Sequence, residues 1–415
     1  MRRIIEVVAP ARLGTGFRRL LGAYWTANVG DGIMLAAGPL LIAWLTDEAF
    51  LIALAAAVQR APWLLVGLYA GVVADRFDRR RIILVTNTVR LLAVAVLLAA
   101  VATDLVTVAG VLAALFVLGL AECFNDTTMA TLMPMLVPKK DLGLAGSRVM
   151  VGVMTINQLA GPPVGAALFV AGTAWPLAAQ VVCLGLVLVQ LARLRLPPVR
   201  RDAPLPGART GVWHEVREGI GWLAGHAAVR TLALTILMFN VTFGATWSVL
   251  VIYTHDRLGL GEIGFGLVTA ATAVGGITGA LLYGTLERRF PLGSIMRVGL
   301  VVETSTHAVL ALTTSPAVAL AILFAFGVQA SVWGTTSTAV RQRAVPAHFQ
   351  GRVTSVYLIG MQAGLVVGAV LGGVLAQVGD VRTTLWFGFV GSAVILVLIW
   401  RVLPQIAHAG TDDED

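Results

Sequence analysis

Gly71-Val-Val-Ala-Asp75-Arg76-Phe77-Asp78-Arg79-Arg80-Arg81 is a short charged stretch between two long apolar ones. Two acids and four arginines that close to hydrocarbon cannot sit in a bilayer, where each charge costs about 3 kcal/mol or more. The stretch must therefore be a tight connection at a membrane surface. Its net positive charge assigns that surface to the cytoplasm.

Outward from this turn, the whole chain reads as membrane. Its 415 residues are 58% hydrophobic and only 13% charged, against about a quarter charged in soluble proteins. Apolar runs of about 20 residues recur twelve times, each long enough to cross the hydrocarbon as a helix, whereas barrel strands would alternate in polarity over about 10 residues. The fold class is thus all-α, integral to the membrane, with twelve transmembrane helices. Met1-Arg2-Arg3 followed by Ile4 to Pro10 resembles the start of a signal peptide, but the apolar stretch is short and broken by Glu6, with Arg12 beyond it, so no cleavage is expected.

A net charge of +8 suggests nucleic acid, but the basic residues fall in a different pattern. Arg2, Arg3, Arg12, Arg18, Arg19, Arg76, Arg79 to Arg81, Lys139, Lys140, Arg200, Arg201, Arg209, Arg288, Arg289, Arg341, Arg343 and Arg352 all fall on the side that holds both termini. The opposite loops carry little beyond Arg257 and Arg382, set among Asp47, Glu48, Asp104, Asp256 and Asp380. This asymmetry predicts cytoplasmic termini and no nucleic-acid partner. Cys123 and Cys183 lie inside predicted helices, and the six histidines are scattered without ligand spacing, so neither a disulfide framework nor a metal site is expected. No phosphate-binding Gly-x-x-x-x-Gly-Lys segment is present, which argues against a pump with its own ATPase, and no cofactor or enzymatic constellation is evident.

The helices divide six and six. Residues 1–196 form a first bundle, 197–228 a cytoplasmic linker, 229–405 a second bundle and 406–415 an acidic tail. The linker opens with a proline-rich part, Pro197 to Pro206, that cannot be helical. It continues with Val212, Val216, Ile220 and Leu223 set against Glu215, Arg217 and Glu218, an amphipathic helix expected at the membrane interface. The halves repeat: Gly161, Gly165 and Gly172 recur as Gly368, Gly372 and Gly379 at a constant offset of 207, and Gly71 and Arg76 recur as Gly284 and Arg289 at 213. Internal repeats of this kind are characteristic of secondary transporters.

The opening stretch resembles the loop between helices 2 and 3 of the major facilitator superfamily, Gly-x-x-x-Asp-Arg-x-x-Arg-Arg, matched by Gly71, Asp75, Arg76, Arg79 and Arg80. Asp78 stands where that family usually has glycine. In the fifth helix, Gly161-Pro162-Pro163-Val164-Gly165 resembles the Gly-Pro motif of the drug-exporting branch, and Asn157 stands where a further glycine often occurs. Before the eleventh helix, Arg341-Gln-Arg343-Ala-Val345-Pro346 and Gly351-Arg352-Val353 resemble the macrolide and enterobactin exporters of the superfamily. The resemblance implies two six-helix pseudo-symmetric bundles, a role for Asp75 and its arginines in latching one conformation through the start of the eleventh helix, and a cavity lined by helices 1, 4, 7 and 10.

Ionisable residues at membrane depth point to function by default. On helix 1, Trp25, Asn28 and Asp31 share a face, and Arg60 on helix 2 is expected at similar depth as a partner for Asp31. Helix 4 carries the densest polar stripe, Glu122, Asn125, Asp126 and Met129, with Arg90 on helix 3 placed to neutralise one acid. This makes Asp31, Glu122 and Asp126 the candidate proton-coupling residues. Asn240, Phe243 and Trp247 on helix 7 and Gln329, Trp333 and Thr336 on helix 10 complete the candidate substrate cavity. Glu303 and His307 on helix 9, four residues apart, are expected to satisfy each other as a structural pair.

Motifs and acids together predict an exporter of small hydrophobic or amphipathic compounds in a bacterial inner membrane, exchanging them for protons and working as a monomer. Export of a siderophore or lipid, proton-coupled import, and a non-transporting receptor are the alternatives.

Overall fold

The computed structural model describes residues 10–194, 212–346, 349–403 and 406. No strand occurs among them, and twelve helices are long and apolar enough to span a membrane. They are α1 (Gly14–Leu45), α2 (Ala49–Arg76), α3 (Arg79–Ala102), α4 (Val108–Leu136), α5 (Leu142–Ala171) and α6 (Ala174–Ala192), then α7 (Ala227–Ser248), α8 (Gly261–Arg289), α9 (Leu292–Leu312), α10 (Pro316–Ala344), α11 (Gln350–Val378) and α12 (Val381–Ile399). The expected all-helical, twelve-span architecture holds.

Hydrocarbon offers no partner for a backbone polar group, so the chain must satisfy its own. Helix starts show how. Asp78 is the N-cap of α3, its carboxylate accepting the Arg81 amide at 3.0 Å, so the residue that replaces the usual glycine of the charged turn has a local task. Thr107 caps α4 by accepting the Gly110 amide at 3.1 Å, and Asp380 and Thr383 close a capping box on α12. Within the spans, the hydroxyls of Thr128 and Thr235 donate to the carbonyl four residues earlier, each at 2.7 Å.

The residues cluster into two units, Met1–Leu45 with Leu65–Ala208, and Thr46–Leu64 with Arg209–Asp415, so the first half of α2 belongs with the second unit. In the first unit α1 packs on α5 and α6, and α3 on α4 and α6. In the second, α7 packs on α11 and α12, and α9 on α10 and α12, the same scheme six helices later. Glycines set the closest approaches in both. A Cβ on Gly161 would stand 2.6 Å from the Gly32 carbonyl carbon, and one on Gly165 3.0 Å from the Ile33 Cα. At the repeat positions, a Cβ on Gly368 would stand 2.9 Å from the Val241 carbonyl carbon, and one on Gly372 2.7 Å from the Ala245 Cα. Helix association in lipid rests on such small-residue contacts, because apolar surface alone gains little by leaving lipid for protein. The α5 helix is not uniform: Val153–Ala160 is a π-helical segment between two α-helical stretches, with Pro162 opening the second.

The amphipathic part of the linker is a helix over Val212–Gly225 that packs against α11. Glu218 bridges Arg352 of α11 at 3.0 Å, a Cβ on Gly219 would stand 2.8 Å from the Arg352 carbonyl oxygen, and Trp222 stacks on His226 and Phe349. The Asp75 side chain, Met1-Arg2-Arg3, the proline-rich part of the linker and the acidic tail lie outside the described residues, Ile406 apart. Arg76 is exposed at the end of α2, and Gly71, inside α2, has open space where a Cβ would be.

Gly161→Ala should destabilise the full-length protein by about 1–3 kcal/mol, because backbone on the facing helix cannot yield as a side chain can. Gly185→Ala on α6, where nothing lies within 4 Å, should be neutral or mildly stabilising. Thermal midpoints in detergent measure both, and equal midpoints for the two variants would remove the α1–α5 contact from the account.

Candidate functional site

Inside the first unit, α1, α3, α4 and α5, with the C-terminal half of α6, enclose a cavity of about 150 Å³. Its polar wall comes from Tyr24, Asn28 and Asp31 on α1, Asn87 on α3, Glu122, Asn125 and Asp126 on α4, and Asn157 on the π-helical part of α5. The i, i+3, i+4 spacing of the α4 residues is sufficient to place all three on this wall. Met129, one turn further, closes it.

The wall is held by one continuous hydrogen-bond network. Arg90, buried on α3 at 2% exposure, forms an ion pair with Asp31. Gln180 on α6 donates to the same Asp31 oxygen at 3.0 Å. From its other end nitrogen Arg90 donates to the Asn87 carbonyl at 3.5 Å, Asn87 donates to Asn125 at 2.8 Å, and Asn125 donates to Asp126 at 3.1 Å. Every donor along this path points away from Arg90, so a change at either carboxylate is felt at the other through oriented amides. Glu122 and Asp126 both lie within electrostatic reach of the guanidinium. Three carboxylates therefore face one arginine, leaving two formal negative charges in excess when all are ionised. The pairing corrects the sequence expectation: Asp31 is bound to Arg90 and not to Arg60, which is exposed on the part of α2 that clusters with the second unit.

A second cavity of about 180 Å³ adjoins the first. The two share Tyr24, Asp126 and Met129, and the second is otherwise lined by apolar or small side chains, Phe17, Leu20, Leu21 and Met133 among them. An acid thus stands at the junction of a polar and an apolar chamber.

Trp25 is not part of either wall. Its indole N–H donates to the Arg148 carbonyl at 3.2 Å and its ring lies over Gly152 of α5, where a Cβ would collide with it. Helical spacing placed Trp25 on the Asn28–Asp31 face, but a side chain this long reaches the gap that a glycine opens beside it. Asn87, Gln180 and Tyr24 carry no motif and were not predicted. The available signal was a lone amide in the apolar α3, Asn87, one turn before Arg90, and the amide of Gln180 in the apolar α6, which also carries Gln190.

In the second unit, Phe243 on α7 stacks on Phe326 of α10 with centroids 5.4 Å apart and tilts against Trp247 at 5.3 Å. Asn240 returns its amide to its own helix at Ile236, 2.7 Å away. On α10, Gln329 is buried and Trp333 packs with it beside Gly299. The expected Glu303–His307 pair does not form: His307 makes its 2.8 Å hydrogen bond with Thr246 of α7, in space left by Gly388 of α12. In the charged turn, Arg79 donates to the Ala74 carbonyl at 3.2 Å and lies 3.0 Å from the Met135 sulfur, while Arg80 donates to the Ala192 carbonyl at 2.6 Å.

The family described as transmembrane secretion effector matches residues 6–413. The multidrug efflux pump Tap of Mycolicibacterium fortuitum is 27% identical over 383 residues, covering 88% of this chain and 90% of its own. The enterobactin exporter EntS of Escherichia coli K12 is 25% identical over 403 residues, covering 94% and 92%. Among solved structures, a bacterial homologue of the iron transporter ferroportin in an inward-facing state superposes with a TM-score of 0.72 at 17% identity, covering 94% of this chain and 98% of that one. The nucleoside transporter NupG does so with 0.70 at 12% identity, covering 94% and 99%. These structures share the fold.

Removing one member of the buried ion pair leaves the other charge uncompensated, at a cost of about 3–5 kcal/mol. Arg90→Gln alone should therefore lower the thermal midpoint strongly, and Asp31→Asn combined with Arg90→Gln should recover part of the loss. A double-mutant cycle on purified protein checks this, and strictly additive effects would dissolve the pair.

Proposed function

We propose that this chain, which belongs to the transmembrane secretion effector family, exports small amphipathic compounds across a bacterial inner membrane in exchange for protons. Efflux and secretion are the business of its relatives, a multidrug efflux pump and enterobactin exporters among them. The observation that carries the finer reading is the excess of carboxylate over arginine in the α1–α4 cavity, beside an apolar chamber that shares Asp126.

Three carboxylates around one guanidinium in a low-dielectric cavity cannot all remain ionised cheaply, so proton binding and ligand binding compete for the same charge. Asp31 is held by Arg90 and Gln180. Glu122 and Asp126, which share the cavity wall with the pair, are the groups assigned to exchange protons with the cavity. A ligand with an apolar body in the 180 Å³ chamber and a polar or cationic end at Asp126 would displace a proton on arrival and be released when the proton returns. Access to the cavity alternates between the two membrane faces, with both termini cytoplasmic on the charge asymmetry of the loops. The charged turn, Asp75 included, biases that alternation without touching the ligand.

A second reading, export of a secreted metabolite such as a siderophore, is favoured by the enterobactin exporters among the relatives. A carboxylate-rich cavity disfavours an anionic cargo, so competition between a cationic and an anionic amphiphile for transport separates the two.

Glu122→Gln fixes the side chain in a form equivalent to its protonated state. In proteoliposomes, uphill export of an amphipathic fluorescent dye driven by an imposed pH gradient should fall about tenfold or more, while dye exchange without a gradient persists. Full gradient-driven export by this variant would transfer proton coupling to Asp126, where Asp126→Asn should then show the loss.

A further inference from the structure

At one boundary of the first unit, the start of α1, the start of α3 and the end of α6 surround an open recess of about 810 Å³. It contains three arginines, Arg19, Arg80 and Arg193, the Thr15 hydroxyl, and no carboxylate. Two of the arginines are braced by the end of α6: Arg80 donates to the Ala192 carbonyl at 2.6 Å and Arg19 to the Arg193 carbonyl at 3.3 Å. These bonds fix the guanidiniums and use one of the five donors that each carries. The side chain of Arg193 has no partner among the described residues. Two braced cations and one unpartnered one, with donors to spare and no acid among them, make a receptor for a multiply hydrogen-bonding anion, for which a phosphodiester is the natural match to guanidinium geometry.

The surroundings say where that anion comes from. The recess lies where three membrane-spanning helices begin or end, at the depth of lipid headgroups. On α6, Val182, Leu186 and Val189 are exposed at spacings of four and three, and the next position on that face is Arg193, four residues on. An exposed apolar stripe running along a spanning helix into a cluster of arginines fits an acyl chain continued by its headgroup. We propose that this recess binds an anionic phospholipid, with the phosphate held by Arg19, Arg80 and Arg193 and an acyl chain along the exposed face of α6. The assignment does not depend on which compound the transporter moves.

The test uses purified full-length protein in detergent, titrated with dioleoylphosphatidylglycerol, dioleoylphosphatidylcholine or inorganic phosphate, with the thermal midpoint as readout, since a ligand of the folded state raises it. Native mass spectrometry counts lipid adducts in parallel. Phosphatidylglycerol should raise the midpoint and remain bound, whereas phosphatidylcholine and phosphate should do neither. Arg193→Gln, which removes no hydrogen bond made by that side chain to the described protein, should weaken the apparent affinity about fivefold. The combined Arg19→Gln, Arg80→Gln and Arg193→Gln variant should abolish the response. Arg288→Gln, an exposed arginine at the end of α8, should leave it unchanged. An equal shift with inorganic phosphate would make the recess a site for soluble anions and overturn the lipid assignment. An equal effect of Arg288→Gln, an equal response to phosphatidylcholine, or full adduct retention by Arg193→Gln would overturn the site itself.

Discussion

A guanidinium at 2% exposure inside a membrane-spanning helix sets the terms for everything around it in the first unit. Arg90 cannot lose its proton and cannot reach water, so its charge has to be met by protein. Asp31 meets it from α1, and Gln180 fixes that carboxylate from α6. The amides of Asn87 and Asn125 carry the polarisation on to Asp126. Four helices are thereby tied through one side chain. The α1, α3, α4 and α6 packing that builds the unit and the polar wall of the cavity have the same origin, so stability and chemistry at this place cannot be changed separately.

The second unit repeats the packing without a buried ion pair among the described residues. Glycines at the 207-residue offset bring α11 against α7 as they bring α5 against α1. In place of an ion pair stand the Phe243–Phe326 stack and the hydrogen bond between Thr246 and His307. Duplicated architecture with divergent interiors is how an internally repeated transporter can specialise its halves. On this reading the carboxylate–arginine network belongs to the first unit, and the other supplies aromatic surface beside the buried Glu303 and His307.

Much of this was legible in the chain. Run length gave the spans, because the thickness of hydrocarbon is fixed, and the α4 stripe was found because helical periodicity needs no tertiary knowledge. What escaped the sequence was partner choice. Asp31 had two arginines within plausible depth, and whether Arg60 or Arg90 meets it depends on which helix packs beside α1, which no local pattern encodes. Glu303 and His307 sit at the spacing of a helical pair, yet a hydroxyl on a neighbouring helix and the space above Gly388 draw the imidazole elsewhere. Trp25 was likewise diverted by a glycine 127 positions away, at Gly152. In the last two cases the residue deciding the outcome is small or uncharged, and small residues carry little signal in a chain with 45 glycines.

The π-helical segment of α5 has a geometric effect that reaches beyond its own residues. Gly152 and Gly161 both confront α1, the former at Trp25 and the latter at Gly32. Nine residues of ordinary α-helix make about two and a half turns, which would send the two glycines to opposite sides. The wider turns of Val153–Ala160 absorb the half-turn difference and bring them back into phase. One stretch of altered winding thus lets a single helix present two notches to the same neighbour, while Asn157, in the middle of the unwound part, is turned toward the cavity.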